Sequence, residues 1–345
     1  MNELRKDPIL GNWVIISPER GKRPQAFARP QRIIEKKEKV CPLCSGNENL
    51  TPPENYALRP KGSKPNTRGW RVRVVPNKFP ALDREKKLVG ERLGMFDVMS
   101  GFGDHEVIIE TPDHDKNLRD QSIKELSEVL RTFQHRIREL YKDKRLRYCL
   151  VFKNEGWEAG ASLEHPHSQL IATPVIPKRI IEELIGSRNY FKRKRRCIYC
   201  DILSQERKSK ERIVYENKEY ISFCPFASRF PFEIWLLPKR HNADFCSRTT
   251  KESISLLADA LRTTMRKLAS TLNNPQYNYV IHTIPNPISR HGYGKNIDRD
   301  FHWHIEIIPR LTRVAGFEWG ADFYINPLAP EEAARTLRDA NNREL

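Results

Sequence analysis

A chain of 345 residues is long enough to bury a sizeable core and predicts two domains. No apolar run reaches the length needed to span a bilayer, and the opening MNELRKDPIL has acidic residues and no apolar h-region, so no secretory signal is visible and a cytoplasmic protein is expected. The 61 Lys and Arg outnumber the 44 Asp and Glu by +17, a field that suits a polyanionic ligand, whether nucleotide or nucleic acid.

In chain order, LGNWVIIS (residues 10–17) alternates as a strand, and PERGKRP (18–24) is a loop carrying Arg20, Lys22 and Arg23. Cys41-Pro42-Leu43-Cys44 forms a tight knuckle, followed by a Pro-rich loop. WRVRVV (70–75) predicts a strand that runs into Pro76-Asn77-Lys78-Phe79-Pro80. HEVIIE (105–110) predicts another, leading to His114. Ile123, Leu126, Leu130, Phe133, Ile137 and Leu140 then recur at helical spacing. Residues 178–196 predict a helix followed by KRKRR (Lys192–Arg196), a solvated linker. The boundary between domains 1–180 and 190–345 is placed there.

The chain is organised around VFKNEGWEAGASLEHPHSQLIATP (residues 151–174). Strand, glycine loop and strand follow one another. In the extended part His165, His167 and Gln169 share one side and Ser168 takes the other. Two imidazoles and an amide on one face can hold, attack and orient a phosphate. Asn154, Gly160, Ala161, Ser162, His165, Pro166, His167 and Gln169 together resemble the active-site segment of the galactose-1-phosphate uridylyltransferase family, in the histidine-triad superfamily. Other segments extend the likeness over most of the chain.

The second half repeats the first. Cys197-Ile198-Tyr199-Cys200 is a second knuckle. FPFEIWLLPKRH (230–241) parallels GDHEVIIETPDH (103–114), YNYVIHT (277–283) parallels YCLVFKN (148–154), and FHWHIEIIP (301–309) parallels EHPHSQLIA (164–172). Each copy thus offers two Cys and two His, the ligand chemistry of a closed structural zinc site. Copy one offers Cys41, Cys44, His114 and His165; copy two offers Cys197, Cys200, His241 and His302. Two zinc ions per chain are expected. The sequence leaves His304 open as a ligand in place of His302, and iron open in copy two, where many bacterial members of the family use a Glu and three His. Glu306 stands where copy one has Gln169. A carboxylate there repels a phosphoryl oxygen, so His304 is read as the relic of a nucleophile. Cys149, Cys224 and Cys246 lie beside apolar residues and are read as ordinary thiols.

The resemblance implies an α+β architecture of two tandem histidine-triad-like halves, each an antiparallel sheet with a long helix, and a homodimer. It implies a nucleotidyltransferase in which His167 attacks a nucleoside diphosphate sugar, with Gln169, Ser162 and Asn154 about the phosphates. It further implies that Arg20 and Arg23 reach the nucleotide, that Asn77 and Phe79 belong to a base-binding loop beside Gly160 and Ala161, and that Phe317 and Glu318 of Gly316-Phe317-Glu318 grip the hexose. The expected reaction is UDP-glucose:hexose-1-phosphate uridylyl transfer. The alternative is an ADP-glucose phosphorylase with inorganic phosphate as acceptor. FYINP, the second Cys pair and the lack of a Gln after Glu318 resemble that branch. A zinc-stabilised nucleic-acid-binding protein would explain the charge and KRKRR, but leaves Asn154, Ser162 and Gln169 without a task. A nucleotide hydrolase is a third reading, since water can also resolve a nucleotidyl-histidine.

Overall fold

The computed structural model describes residues 2–18, 40–247, 250–289 and 296–340. Its strands in chain order are β1 (Glu3–Lys6), β2 (Trp13–Ile16), β3 (Tyr56–Leu58), β4 (Val72–Pro76), β5 (Gly90–Leu93), β6 (Phe96–Met99), β7 (Asp104–Ile109), β8 (Tyr148–Glu155) and β9 (His167–Thr173) in the first copy. The second adds β10 (Ile213–Glu216), β11 (Tyr220–Phe223), β12 (Ile234–Pro238), β13 (Tyr277–His282), β14 (His304–Pro309) and β15 (Tyr324–Asn326). Ten of these form one sheet in the order β10-β11-β12-β14-β13-β8-β9-β7-β4-β3. The order reads the same from either end once each strand is exchanged for its repeat partner. Copies one and two therefore meet at a seam, where β13 and β8 run antiparallel and Asn278 lies opposite Asn154. The fold is α+β, with two histidine-triad-like halves joined in a single sheet.

Two long helices cover one face. α1 (Ile123–Tyr141) starts on a capping box: the Glu125 N–H donates to Ser122 Oγ at 3.2 Å, and the Ser122 N–H donates to Glu125 Oε2 at 2.8 Å. Leu126, Leu130, Phe133 and Ile137 of α1 pack with Val151, Leu170, Ile281 and Ile305 of the sheet. The matching helix of copy two, Lys251–Leu272, begins at Thr250 and ends at Asn273 in the left-handed region (φ 50°). It packs against α1 and fills the same core.

The opposite face is treated differently in the two copies. In copy two, α2 (Lys178–Lys194) and α3 (Ile198–Ser209) lie on it, with Ile180, Leu184, Tyr199 and Leu203 packed among Ile221, Phe223, Trp235 and Leu237. In copy one the same face is bordered by the 156–165 loop and the turn at 77–81, whose backbone is tied to β7 through Asn77 N–H to His105 O at 2.8 Å. Two expectations are corrected here. Lys192–Lys194 of KRKRR form the last turn of α2, where cations favour the negative end of the helix dipole, and are not a linker. Cys197 is the N-cap of α3 and Cys200 lies in its first turn, so the second pair sits on a helix start. A small sheet β1-β2-β15 stands apart from the large one. Among the described residues no helix is long and apolar enough to cross a membrane.

Candidate functional site

His167 opens β9 on the face away from α1. Its Nδ1 lies 2.7 Å from the carbonyl oxygen of His165. A carbonyl only accepts, so Nδ1 carries the proton and Nε2 presents a lone pair. Burial lowers the basicity of the ring, opposed by that same carbonyl, so His167 is neutral at neutral pH. Neutral imidazole with a free Nε2 is the nucleophilic form.

The strand beneath is anchored from the helix side. Lys153 Nζ is fully buried, 2.9 Å from Glu110, 3.3 Å from Glu155 and 3.3 Å from the carbonyl of His167. Ser168 donates to Glu110 Oε1 at 2.6 Å and meets the Tyr279 hydroxyl at 2.7 Å. These links hold the main chain on which His167 stands.

Asn154 is the penultimate residue of β8 and lies on the His167 side. Its carbonyl accepts from Asn278 Nδ2 at 2.8 Å, and the same Nδ2 donates to Ala159 O at 2.8 Å. Asn278 of copy two thereby fixes both Asn154 and the glycine loop of copy one. Asn154 is left with its NH2, beside Gly160. Gly160 (φ 88°) ends the short turn Trp157–Ala159 in the left-handed region, where a side chain would be strained. Ala161 is half-buried and Ser162 exposed at the mouth. Asn77 accepts from the Phe79 N–H at 2.9 Å, and the Phe79 ring is 84% exposed, unpacked by its own chain. Phe317 and Glu318 lie on the short helix Gly316–Ala321: Phe317 meets Phe323, and Glu318 accepts from its own Ala315 N–H at 3.0 Å. Arg20 and Arg23 lie outside the described residues.

The Cys and His ligand atoms converge in both copies. Cys41, Cys44, His114 and His165 bring one donor atom each within 4.8 Å of the others, and so do Cys197, Cys200, His241 and His302. Cys44 Sγ lies 3.3 Å from His114 Nδ1 and 3.6 Å from His165 Nδ1. Cys200 Sγ lies 3.4 Å from His241 Nδ1 and 3.7 Å from His302 Nδ1. Tetrahedral zinc with ordinary bond lengths separates S and N ligands by about 3.6 Å. The imidazoles are oriented as ligands need to be. His165 Nε2–H donates to Thr111 O at 2.8 Å, and His302 Nε2–H to Pro238 O at 2.9 Å, which turns each Nδ1 inward. Both donor sets fit a zinc ion, and the fit favours His302 over His304.

His304 belongs elsewhere. It repeats the geometry of His167, with Nδ1 3.1 Å from His302 O. Its ring is fully buried between Trp235 and Tyr199, with centroids at 5.2 Å from each. Its Nε2 makes no hydrogen bond among the described residues and points toward Glu183, 3.9 Å away, and Glu306, 4.0 Å away. Glu306 is paired with Arg229 at 2.7 Å, and Glu183 with His282 at 3.0 Å. Burial pushes the Glu306 carboxyl up, but Arg229, His282 and Arg179 hold it below the usual range. Reasoning along the chain did not single out Glu183, His282 or Asn278. Each acts across a strand pair or from a helix far away in sequence.

Comparison with known proteins agrees with this arrangement. Residues 1–177 match the family described as galactose-1-phosphate uridyl transferase, N-terminal domain. The chain belongs to that family. Residues 103–343 also match a domain of unknown function, DUF4921. ADP-glucose phosphorylase of Arabidopsis thaliana is 36% identical over 98% of this chain and 93% of its own length. Galactose-1-phosphate uridylyltransferase of Thermotoga maritima is 31% identical over 98% of both. The crystal structure of the Arabidopsis phosphorylase with bound ADP-glucose covers 98% of both chains at a TM-score of 0.82 and 35% identity. Relatives in this uridylyltransferase family are enzymes, and the present chain is a nucleotidyltransferase of the same kind.

Proposed function

We propose that the protein transfers a nucleotidyl group from a nucleoside diphosphate sugar to a phosphate acceptor through a covalent bond to His167. One observation carries the reading: the His165 carbonyl occupies Nδ1–H, leaving Nε2 of His167 as the attacking atom. The new bond joins Nε2 to the α-phosphorus, and the bond from that phosphorus to the bridging oxygen breaks. Sugar 1-phosphate leaves with the electron pair. The imidazole becomes positive as it bonds, and Nδ1–H held to a carbonyl favours that charge. The acceptor then reverses the step. The NH2 groups of Asn154 and Gln169, with the hydroxyl of Ser162, supply donors to phosphoryl oxygens without adding negative charge.

Within this reading Arg20, Arg23, Asn77, Phe79, Gly160 and Ala161 contact the nucleotide, and Phe317 with Glu318 the sugar. The two Cys2His2 clusters hold one zinc each. All four positions are taken by protein, so the metal contributes folding energy and no hydroxide. A zinc ion held by Cys41, Cys44, His114 and His165 would fix the peptide whose carbonyl orients His167. The assembly is a cytoplasmic homodimer of chains with domains 1–180 and 190–345, and nucleic acid is no partner.

The first acceptor is a hexose 1-phosphate, galactose 1-phosphate above all, with UDP-glucose as donor. A specific observation supports the phosphorylase alternative as second reading. The sole amide between Glu318 and Pro330 is Asn326. It is spent inside the protein, donating to Ser228 O at 2.9 Å and accepting from Leu328 N. Between Glu318 and Pro330 no amide is left to meet a sugar hydroxyl, and inorganic phosphate needs none. Incubation with UDP-glucose or ADP-glucose, adding galactose 1-phosphate, phosphate or nothing, separates the readings. Acid-labile label on wild type, absent in His167→Gln, is the expected result; label retained in that variant overturns the assignment.

A further inference from the structure

His105 is outside every role above, yet it touches the centre of the site. It lies on β7, on the same face as Gln169, with Nε2 2.8 Å from Gln169 Oε1 and 3.2 Å from Asn77 Nδ2. Its other nitrogen, Nδ1, accepts a hydrogen bond from the Ala81 backbone N–H at 3.2 Å. A backbone N–H can only donate, so Nδ1 carries no proton. The ring is therefore neutral, and its proton sits on Nε2. Nε2–H needs an acceptor, which Asn77 Nδ2 is not. The orientation of Asn77 is itself fixed, because its Oδ1 takes the Phe79 N–H at 2.9 Å. The proton on His105 goes to Gln169 Oε1.

That assignment decides what Gln169 offers. The two ends of a carboxamide are almost equal in shape, and a half-turn exchanges a donor for an acceptor. Packing alone does not choose between them; a hydrogen-bond partner does. With Oε1 occupied by His105, only the NH2 is left to meet a phosphate. The reverse orientation would set a carbonyl oxygen against phosphoryl oxygens.

The repeat supplies an internal control. Val107 lies opposite Gln169 as Trp235 lies opposite Glu306, so by strand register Glu233 of copy two takes the place of His105, and Glu306 that of Gln169. Glu233 and Glu306 share Arg229 as their charge partner, at 3.2 and 2.7 Å. The donor is absent in the copy where there is no carboxamide to orient.

We propose that His105, as its Nε2–H tautomer, is a positioning residue that locks the carboxamide of Gln169 with its NH2 toward the phosphate transferred at His167. The proposal rests on the nucleotidyl-histidine reading. It also ties the base loop to the phosphate site, because the same ring is held by Ala81 and bordered by Asn77.

The test uses full-length protein and single-turnover labelling of His167 from UDP-glucose or ADP-glucose. His105→Phe should slow labelling by about tenfold or more, while nucleotide-sugar affinity changes by less than about threefold. His105→Asn, which keeps an N–H donor, should recover most of the rate. In His105→Phe/Gln169→Ala the losses should not add, since the first acts through the second. Long-range proton–nitrogen spectra of histidine-labelled wild type, assigned with His105→Phe, should show the Nε2–H form, which reads the proposal even if a variant fails to fold. An Nδ1–H ring, wild-type labelling in folded His105→Phe, or additive losses would each overturn it. A wild type that takes no label at His167 overturns the underlying reading, and this role with it, and is told apart because every variant is then equally silent.

Discussion

His167 and His304 occupy matching places on β9 and β14. Each stands two residues after the histidine of a Cys2His2 cluster and donates Nδ1–H to that histidine's carbonyl. The local backbone chemistry is the same, so in the proposed reaction local chemistry does not set His167 apart from His304. The surroundings do. α2 and α3 lie over the copy-two face, closing His304 between Trp235 and Tyr199 among ion-paired carboxylates. The copy-one face keeps a glycine loop and three neutral polar groups. A nucleophile needs access and a donor-rich rim as well as the correct tautomer.

The sharpest test removes each histidine in turn. His167→Gln should cut turnover by about 10⁴-fold or more, and folded His304→Gln should stay within about threefold of wild type, measured as initial rates. Comparable losses would break the contrast. The metal clusters come next. Cys41→Ser and Cys197→Ser should each lower zinc by one ion per chain in elemental analysis and cost roughly 3 kcal/mol or more in denaturant unfolding. Only the first should also slow labelling in protein that remains folded, because His165 shares that cluster. Glu306→Gln makes copy two resemble copy one at the phosphate position. It should produce no second labelled histidine by peptide mapping, and Arg229, left with Glu233 as its charge partner, should cost about 2 kcal/mol or less. Label on His304 would show that charge, not closure, silences that copy.

The smallest effect concerns Asp104, whose counterpart by strand register is the apolar Phe232. Burial, and then the nearby Glu106, push its carboxyl up to about 6 from 3.8. The native state therefore binds this proton more tightly than the unfolded chain. Between those values stability falls as pH rises; below them there is no penalty, and above them it is constant. Asp104→Asn should flatten this slope and raise Tm at neutral pH by roughly 1–3 °C, with no gain in acid. An unchanged thermal profile across that range would show that Asp104 is solvated.

Much of this was legible in residue order because it is local or repeated. The knuckles, the His-x-His strands and the amphipathic helix at 123–141 each announce themselves within a few residues, and the repeat doubles the signal. The choice between His302 and His304 was not legible. It depends on the Pro238 carbonyl, which turns His302 Nδ1 toward Cys200. Nor was the cover over His304, since an amphipathic helix at 178–194 says nothing of which sheet face it will bury. His105 and Asn278 act on partners 64 and 124 residues away. A signal for His105 did exist: neither His105 nor Gln169 has its like in the second copy.

The seam between β8 and β13 has a consequence for how the chain is made. The central pairing of the sheet joins residues more than a hundred positions apart, with Asn278 donating to Asn154 across 124 residues. Such contacts form slowly, because a long loop must close before they give any return. On the ribosome copy one emerges first, and β8 then stands with an unpaired edge until β13 has been synthesised. A naked edge of this kind is a template for pairing with another chain. Copy two is thus a built-in edge guard for copy one, and chains truncated before Tyr277 should aggregate rather than act as small transferases.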